Sequence, residues 1–328
     1  MDVGTVTRAQ GCLLGQLAGD ALGSQVEFSS PEKIARTFPN GVRELRDGGT
    51  WGTVAGQPTD DSEMALLLAR MLVRQKKYDQ AQAFQKYLFW LNSGPFDVGN
   101  TIRAALHGQP STASQANGAM MRVSPLGIFG ATRKLDEVAR MARSDAALTH
   151  PNPVCLDANA LFTMAIATAI RNPTTPDALS ANICTWATEM DISEELRRCI
   201  DESQGRPPHD FVRQQGWVLI AFGNALYRLL HAVNLEEALV ETVMCGGDTD
   251  TNAAIAGALL GAVHGRDAVP ERWTQCLLHC RPSAGRAGVE RPRPEVFWPI
   301  DALELAQALL VTGAGENPTV TDEAPTTT

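Results

Sequence analysis

An acidic turn lies in residues 244–254, whose sequence is MCGGDTDTNAA. Its Asp248, Thr249, Asp250 and Thr251 follow two glycines and precede an alanine-rich segment typical of a helix. Oxygen donors gathered on a turn suit a hard divalent cation such as Mg²⁺ or Mn²⁺. Asp and Thr also cap helices, although one cap needs one such residue and this turn offers four. The turn therefore predicts either a metal site or a helix cap.

A second acidic turn lies in residues 57–64, whose sequence is QPTDDSEM. Thr59, Asp60 and Asp61 stand at the start of a segment in which apolar residues recur at helical spacing over positions 64–71. Adjacent carboxylates repel each other and are costly to bring near a third and a fourth, and a cation removes that cost. If the two turns meet, they would form a two-metal cluster, whose ions typically lie about 3.5–4 Å apart.

The overall charge argues against a nucleic-acid partner. The chain of 328 residues has a formal net charge of −9 and no basic run. Because an acidic surface does little to attract anions, any phosphate groups of a ligand need local hosts.

The cysteines and the N-terminus indicate a compartment. Seven cysteines are scattered along the chain without a Cys-x-x-Cys pair, which favours a reduced cytosolic protein. The N-terminus has no signal-peptide pattern, and we find no apolar run long enough to span a membrane. We expect a cytoplasmic protein with no membrane partner, and we expect a monomer.

The predicted fold class is all-α, with loops clustered at helix ends, because alternating strand patterns are scarce. Nothing in the middle of the chain has the composition of a linker, so residues 1–311 are predicted to form one domain. Residues 312–328 are rich in Gly, Pro, Thr and acidic residues, which predicts a disordered tail. Gly257 and Gly261 lie four residues apart on one helix, a spacing that lets another helix approach closely. Helices are predicted over residues 8–23, from Asp60 onward, and over 78–91, 135–148, from Pro153 to about 170, 176–190, 193–203, 210–231, 235–243, 251–264 and 300–311.

Six motifs occur in order over about residues 8–280. Any one of them is weak, but six in this order are highly specific, and together they resemble the ADP-ribosylglycohydrolase family. The motifs are Gly19-Asp20-Ala21-Leu22-Gly23 with Glu27-Phe28, Thr59-Asp60-Asp61, Asp97-Val98-Gly99-Asn100-Thr101, Asn117-Gly118 with Met121-Arg122, Thr149-His150, and Gly246-Gly247-Asp248-Thr249-Asp250-Thr251.

This resemblance implies an all-α enzyme with a dinuclear Mg²⁺ or Mn²⁺ site. It implies cleavage of the bond between the anomeric ribose carbon of ADP-ribose and an acceptor, which is an ADP-ribose-modified protein or an ADP-ribosyl small molecule. Catalytic roles fall to Glu27, Asp60, Asp97 and Asp248. The alternative for Glu27 is a surface glutamate after a helix. The implied metal ligands are Thr59, Asp60, Asp61, Asp248, Asp250 and Thr251.

The ligand needs hosts for its diphosphate and its adenine. Helix starts and glycine turns present free N–H groups that can bind phosphate oxygens. We therefore expect the diphosphate at Gly99, Asn100 and Thr101 and at the turn of Asn117 and Gly118.

Three further residues are candidate ligand contacts, and each has an alternative. The alternative for Arg122 is that it holds a loop by donating to backbone carbonyls. The alternative for His150 is that it caps a helix or belongs to the core. Trp217 either stacks on adenine or belongs to the core.

We expect arginine as the acceptor and Asp97 as the residue that recognises it, because a carboxylate accepts the paired donors of a guanidinium. The alternative is that Asp97 caps the helix that follows. Three other functions stay open: cleavage of serine-linked or other O-linked ADP-ribose, binding of ADP-ribose without catalysis, and two-metal phosphoester hydrolysis. The last would need Lys or Arg near the leaving phosphate, where the site loops offer only Arg103 and Arg122.

Overall fold

A computed structural model describes residues 2–315, and within them the regular secondary structure is entirely helical. The pairings of extended backbone described there are two isolated bridges, Gly48 with Thr53 and Ala116 with Trp217. The all-α prediction is therefore confirmed. The helices are α1 Val3–Gly23, α2 Pro31–Thr37, α3 Asp60–Gln75, α4 Gln80–Asn92, α5 Asn100–Leu106, α6 Ser124–Phe129, α7 Leu135–Ala146, α8 Pro153–Arg171, α9 Pro176–Glu189, α10 Glu194–Ser203, α11 Val218–His231, α12 Leu235–Met244, α13 Thr249–His264, α14 Glu271–Leu278 and α15 Ala302–Gly313.

The two helices α1 and α13 are almost entirely buried and pack tightly against each other. Glycines line their contact: a Cβ atom on Gly15 would lie 2.1 Å from the carbonyl oxygen of Gly257, and one on Gly257 would lie 2.0 Å from that of Gly15. Gly11 meets Gly261 in the same way one turn further along. The close approach predicted from the spacing of Gly257 and Gly261 is confirmed, and α1 is the partner.

The order of these contacts shows that α1 and α13 are antiparallel. Gly11 faces Gly261, whereas Gly23 at the other end of α1 faces the backbone of Asp250. The last turn of α1, which carries Asp20, therefore lies against the first turn of α13. Glycine-to-glycine packing thus brings the GDALG motif and the acidic turn at residues 248–251 to the same place.

Helix α8 is a core helix with the composition of a membrane span. An 18-residue window of α8 has a mean hydropathy of 1.5, and the helix is long and apolar enough to cross a membrane. The prediction that no apolar run reaches that length is therefore wrong. Because 78% of the window is buried inside the protein, packing against α6, α7 and α13 accounts for the apolar sequence.

Several predicted boundaries differ from the structure. Helix α1 begins at Val3, where the Asp2 carboxylate caps it, rather than at residue 8. Helix α11 begins at Val218 rather than at residue 210, because Gly216 has a φ of +77° and Trp217 is extended. Helix α15 continues through Gly313, although composition places residues 312 and 313 in the tail. A Cβ atom on Gly313 would lie 2.0 Å from the carbonyl oxygen of Phe129, so tight packing extends this helix. Residues 316–328 of the predicted tail lie outside the described residues.

The α1–α13 contact predicts a large effect of one methyl group. In Gly15→Ala the new Cβ meets backbone that cannot rotate away, so the helices must separate, and we expect a loss of about 1–3 kcal/mol or more in unfolding free energy. Gly4→Ala on the same helix is the matched control, because its Cβ would meet only the ends of the flexible side chains of Asp2 and Arg8. Urea unfolding measures both variants. Equal stability of Gly15→Ala and wild type would contradict the packing described.

Candidate active site

Seven carboxyl groups gather where helix ends meet, and we call them the acidic centre. Asp20 comes from the last turn of α1, and the others come from turns or from first helical turns. Burial and mutual repulsion raise the pKa values of Asp60, Asp61 and Asp250 well above their usual range. The members are Asp20, Glu27, Asp60, Asp61, Asp97, Asp248 and Asp250.

Asp20 is the member that the metal and catalytic assignments from sequence omit. Its carboxylate accepts hydrogen bonds from the backbone N–H of Thr59 at 3.1 Å and of Ser62 at 3.2 Å, and from the Thr59 hydroxyl at 2.9 Å. Thr59 itself makes no side-chain cap hydrogen bond. Asp20 therefore caps α3 from another helix. This leaves Asp60 and Asp61 free of capping and fixes the start of α3 against α1.

The acidic centre contains two groups of oxygen donors close enough to share an ion. Asp20, Asp61 and Asp250 each offer a carboxylate oxygen within 4.8 Å of the others, and so do Glu27, Asp248 and Asp250. Asp250 belongs to both groups. Two buried oxygens, Asp61 Oδ1 and Asp250 Oδ2, have no hydrogen-bond partner. An all-oxygen donor set with unpartnered buried carboxylate oxygens fits hard divalent cations such as Mg²⁺ and Mn²⁺.

The threonines of the two acidic turns contact the same carboxylate. The Thr251 hydroxyl donates to Asp61 Oδ2 at 3.3 Å, and the Thr59 hydroxyl, which donates to Asp20 at 2.9 Å, lies 3.2 Å from the same Asp61 oxygen. The two turns are therefore brought together, as the sequence predicts, although Asp60 stands outside both donor groups. Its raised pKa reflects burial first, and then the charges of Asp97 and Asp61.

Glu27 and Asp97 are members of the acidic centre whose pKa values are raised close to neutrality. Burial, followed by the charges of Asp97 and Asp248, raises the pKa of Glu27 to about 8. Burial, with repulsion from Asp248, raises the pKa of Asp97 to about 6. The indole N–H of Trp51 donates to Glu27 Oε2 at 2.6 Å. Glu27 is buried, so it is not the surface glutamate of the alternative interpretation.

A cavity of about 370 Å³ opens onto this centre. Its wall includes five of the catalytic and metal candidates and seven of the nine predicted substrate-binding residues, with Asp97 belonging to both sets. It also includes residues that the sequence does not single out as ligand contacts, among them Phe28, Ile102 and Gly216. The predicted site residues on the wall are Glu27, Asp60, Asp97, Gly99, Asn100, Thr101, Asn117, Gly118, His150, Asp248 and Thr251.

Arg122 does not reach the cavity. Its guanidinium is fully buried, pairs with Asp145 at 3.0 Å, and donates to the Gly118 carbonyl at 3.0 Å and to the Thr149 hydroxyl at 2.9 Å. The Tyr87 ring lies 4.4 Å below it. The structure therefore gives Arg122 the alternative role, in which it holds a loop through a backbone carbonyl.

Through Thr149, Arg122 also fixes His150. The Thr149 hydroxyl lies 2.8 Å from His150 Nδ1, and the buried Nε2 atom has no partner. Burial, and then the charge of Arg122, lowers the pKa of His150 to about 3, so the ring is neutral. The Thr149 hydroxyl accepts a hydrogen bond from Arg122, so its own proton is available to donate to His150 Nδ1. His150 then presents an Nε2–H donor on the cavity wall.

Trp217 borders a neighbouring cavity of about 330 Å³ rather than the one at the acidic centre. Its indole N–H donates to Gln115 Oε1 at 2.7 Å, and the Asn117 N–H donates to the Gly216 carbonyl at 2.9 Å. These bonds place the Asn117 amide, which donates to Asp248 Oδ2 at 2.6 Å. Trp217 therefore positions a wall of the site.

One buried ion pair near the site has no signal in the sequence analysis. Arg293 Nε and Nη2 donate to the two carboxylate oxygens of Glu63, both at 2.7 Å, and Trp90 donates to the same group at 2.8 Å. Arg293 also donates to the Ser93 carbonyl at 3.0 Å. The pair links α3, which begins at Asp60, to the loop before Asp97.

Comparison with known proteins agrees with these features. A profile of the ADP-ribosylglycohydrolase family matches residues 1–311. The ADP-ribosyl-[dinitrogen reductase] glycohydrolase of Rhodospirillum rubrum is 31% identical, over 82% of this chain and 90% of that protein. The ADP-ribosylarginine hydrolase Tri1 of Pseudomonas putida (strain GB-1) is 27% identical, over 82% of this chain and 73% of that protein.

A solved structure of an ADP-ribosylglycohydrolase-related protein complex superposes with a TM-score of 0.77 at 26% identity, covering 94% of this chain and 99% of that one. Family profile, relatives and fold thus agree over most of the chain. The chain therefore belongs to the ADP-ribosylglycohydrolase family and is a glycosidic-bond hydrolase.

Proposed function

We propose that this enzyme removes ADP-ribose from modified arginine side chains with the help of two divalent metal ions. The observation that carries the proposal is the position of Asp97, which lines one cavity together with Glu27, Asp60 and Asp248. A relative of the chain is named an ADP-ribosylarginine hydrolase, which agrees with that acceptor. ADP-ribosylated proteins are the expected partners, and the cytosol is the expected compartment.

The acidic centre is the proposed host of the two ions. Asp61, Asp248 and Asp250 would be ligands, helped by Asp60 and by the hydroxyls of the two threonines, and Asp250 belongs to both donor groups. When bound, Mg²⁺ or Mn²⁺ supplies Lewis-acid chemistry that orients ribose hydroxyls and activates water. Asp20 accepts hydrogen bonds from the start of α3 through both oxygens, so it holds the first donor group in place while also offering an oxygen to it.

Asp97 is proposed to bind the guanidinium of the acceptor. A carboxylate accepts paired N–H donors from the planar guanidinium fork, whereas a serine hydroxyl gains much less from a negative charge. The cap interpretation has little support, because Gly99 occupies the N-cap position of α5 and no side chain caps it. Asp97 is thus free to face the cavity.

The reaction proposed is hydrolysis of the bond between the anomeric carbon and a guanidine nitrogen. The oxygen of water bonds to the carbon and water gives up one proton, while the carbon–nitrogen bond breaks and its electron pair goes to nitrogen, which takes up a proton. A group with a pKa near neutrality suits such a transfer, and Asp97, with a pKa raised to about 6, is the candidate. One oxygen of Glu27, Oε2, accepts a hydrogen bond from the Trp51 indole, so the other oxygen is the one available to water or substrate.

Phosphoester hydrolysis fits this cavity less well. A leaving phosphate needs a nearby Lys or Arg, and none of the described residues on the cavity wall is either. The His150 imidazole and the N–H groups at Gly99–Thr101 are neutral donors that suit a diphosphate which is bound rather than cleaved.

The acceptor assignment predicts release of free ADP-ribose from ADP-ribosyl-arginine by the wild-type enzyme. Serine-linked and thymidine-linked ADP-ribose are the comparison substrates. Asp97→Asn should lower turnover of the arginine substrate about 10²- to 10⁴-fold if Asp97 also transfers a proton, with fold and metal affinity retained.

Asp79→Asn is the matched control, because Asp79 is a true helix cap that accepts from the Gln82 N–H. It should lower stability slightly and leave turnover intact. Release from serine but not from arginine by the wild-type enzyme would defeat the assignment.

The acidic centre predicts a pH-dependent role for metal in stability. A carboxyl whose pKa is raised by folding stabilises the folded state at low pH and loses that contribution as pH rises through the folded value. The pKa values of folded Asp97 and Glu27 are about 6 and about 8, so the pH range over which this contribution is lost extends to about pH 6 for Asp97 and about pH 8 for Glu27. We expect the melting temperature in chelator to fall from about pH 5 to about pH 8.

Mg²⁺ or Mn²⁺ should reverse this fall, and ions at about 100 times their dissociation constant add about 2.7 kcal/mol. Activity should vanish in chelator and return with the ions. Asp248→Asn should weaken both effects. A melting temperature at about pH 8 that is the same with and without chelator argues against a bound cluster. Full activity in excess chelator argues against it as well.

A further inference from the structure

Phe28 is an exposed aromatic ring at the cavity. Five large apolar side chains are exposed among the described residues, and Phe28, at 56% exposure, is the one that lines the cavity at the acidic centre. It follows Glu27 directly and shares the cavity wall with Asp97. More than half of the Phe28 surface is left open to the cavity beside carboxylates, where a bound ligand would cover it.

The backbone at Phe28 is held in an unfavourable conformation. Its φ is +61°, a left-handed value that is a genuine outlier for a bulky residue. The Phe28 N–H donates to the Gly247 carbonyl at 2.8 Å, and the Gly247 N–H donates to the Ser29 carbonyl at 3.1 Å. The acidic turn of α13 thus keeps the ring on the cavity wall despite the strain, and strain of this kind is concentrated at functional sites.

Phe28 begins a row of three aromatic rings that joins the two carboxylates of the cavity rim. The Trp51 ring meets Phe28 edge-on at a centroid distance of 6.3 Å and meets Phe96 at 5.9 Å. Trp51 donates to Glu27 at 2.6 Å, and Phe96 directly precedes Asp97. The row therefore connects Glu27 with the residue before Asp97, and Phe28 is the ring of the row that lies on the cavity wall.

A planar cation is the chemical group that matches a ring face beside a carboxylate. The face of an aromatic ring carries negative charge density and attracts cations, and a guanidinium also stacks on it because it is flat and weakly hydrated. Its edge N–H groups stay free for a carboxylate. A neutral hydroxyl acceptor has neither the charge nor the plane to use this surface.

We propose that Phe28 is a specificity-determining residue whose ring takes the face of the acceptor guanidinium while Asp97 binds its edge. This rests on the proposed arginine-directed function. Trp51 supports the ring from the side and holds Glu27, so it is a positioning residue.

The test compares Phe28→Leu with Phe28→Tyr. Leucine keeps the apolar character and loses the ring face, whereas tyrosine keeps the face. We expect Phe28→Leu to lower kcat/KM for ADP-ribosyl-arginine about 2- to 30-fold, the range of a cation–π contact, and Phe28→Tyr to stay close to wild type. Inhibition by agmatine, a small guanidinium, should weaken by a similar factor, while the Kd for free ADP-ribose stays unchanged.

Phe89→Leu is the matched control. Phe89 lies on α4, is 49% exposed and contacts the Phe297 ring at a centroid distance of 6.1 Å. It therefore resembles Phe28 in exposure and in having an aromatic neighbour, but it is absent from the wall of this cavity. It should leave all of these quantities at wild-type values, and melting curves confirm that each variant is folded.

Three outcomes overturn the inference. Phe28→Leu with wild-type kcat/KM and agmatine inhibition removes the ring from acceptor recognition. An equal loss in ADP-ribose affinity means that Phe28 contacts the nucleotide instead. A wild-type enzyme that does not cleave ADP-ribosyl-arginine overturns the proposed function and this inference together, whereas cleavage with an unresponsive Phe28→Leu variant overturns the inference alone.

Discussion

Electrostatic repulsion within the acidic centre is the constraint on which the rest of the structure depends. Seven carboxyl groups in one small volume are costly in a folded protein, because burial and like charges both oppose ionisation. Asp20 is relieved by three hydrogen bonds from the start of α3. Asp61 and Asp250 each keep one unpartnered buried oxygen. A fold that carries such a cost must hold the groups rigidly, since relaxation would simply move them apart.

Rigidity comes from contacts that leave little room for movement. The glycine pairs bring the backbones of α1 and α13 into direct contact, so the ends that carry Asp20 and Asp250 cannot slide past each other without a clash. Arg122 and Asp145, both fully buried, lock the loop at Gly118. Removing one partner of such a pair typically costs about 3–5 kcal/mol, which is a large share of the total stability of a domain. The acidic centre is therefore surrounded by some of the strongest restraints in the molecule.

The sequence predicts the parts of this arrangement that are local. Helical periodicity after Asp60 and the paired glycines at 257 and 261 follow from spacing alone, and both acidic turns stand out by composition. The remainder depends on partners far apart in the chain. Asp20 caps a helix whose N-cap residue, Thr59, lies 39 residues later, and Glu63 pairs with Arg293 across 230 residues. No local pattern specifies these pairings. The sequence leaves two roles open for Trp217 and for Arg122 for the same reason, since their partners decide which way they face.

The two sides of the cavity share a support in residues 281–299. The acidic centre depends on α1, α3 and α13, whereas the aromatic side depends on Trp51, whose loop is tied to residues 281–299. Arg291 Nε donates to the Trp51 carbonyl at 3.0 Å, and the Arg291 carbonyl accepts from Gln57 at 2.6 Å. That segment lies outside the six motifs of the resemblance. The same segment also reaches α3, because Arg293 pairs with Glu63, so a change in residues 281–299 can act on the acidic centre as well as on the aromatic rings. Trp51, bonded to Glu27 and packed on Phe28, joins the two sides.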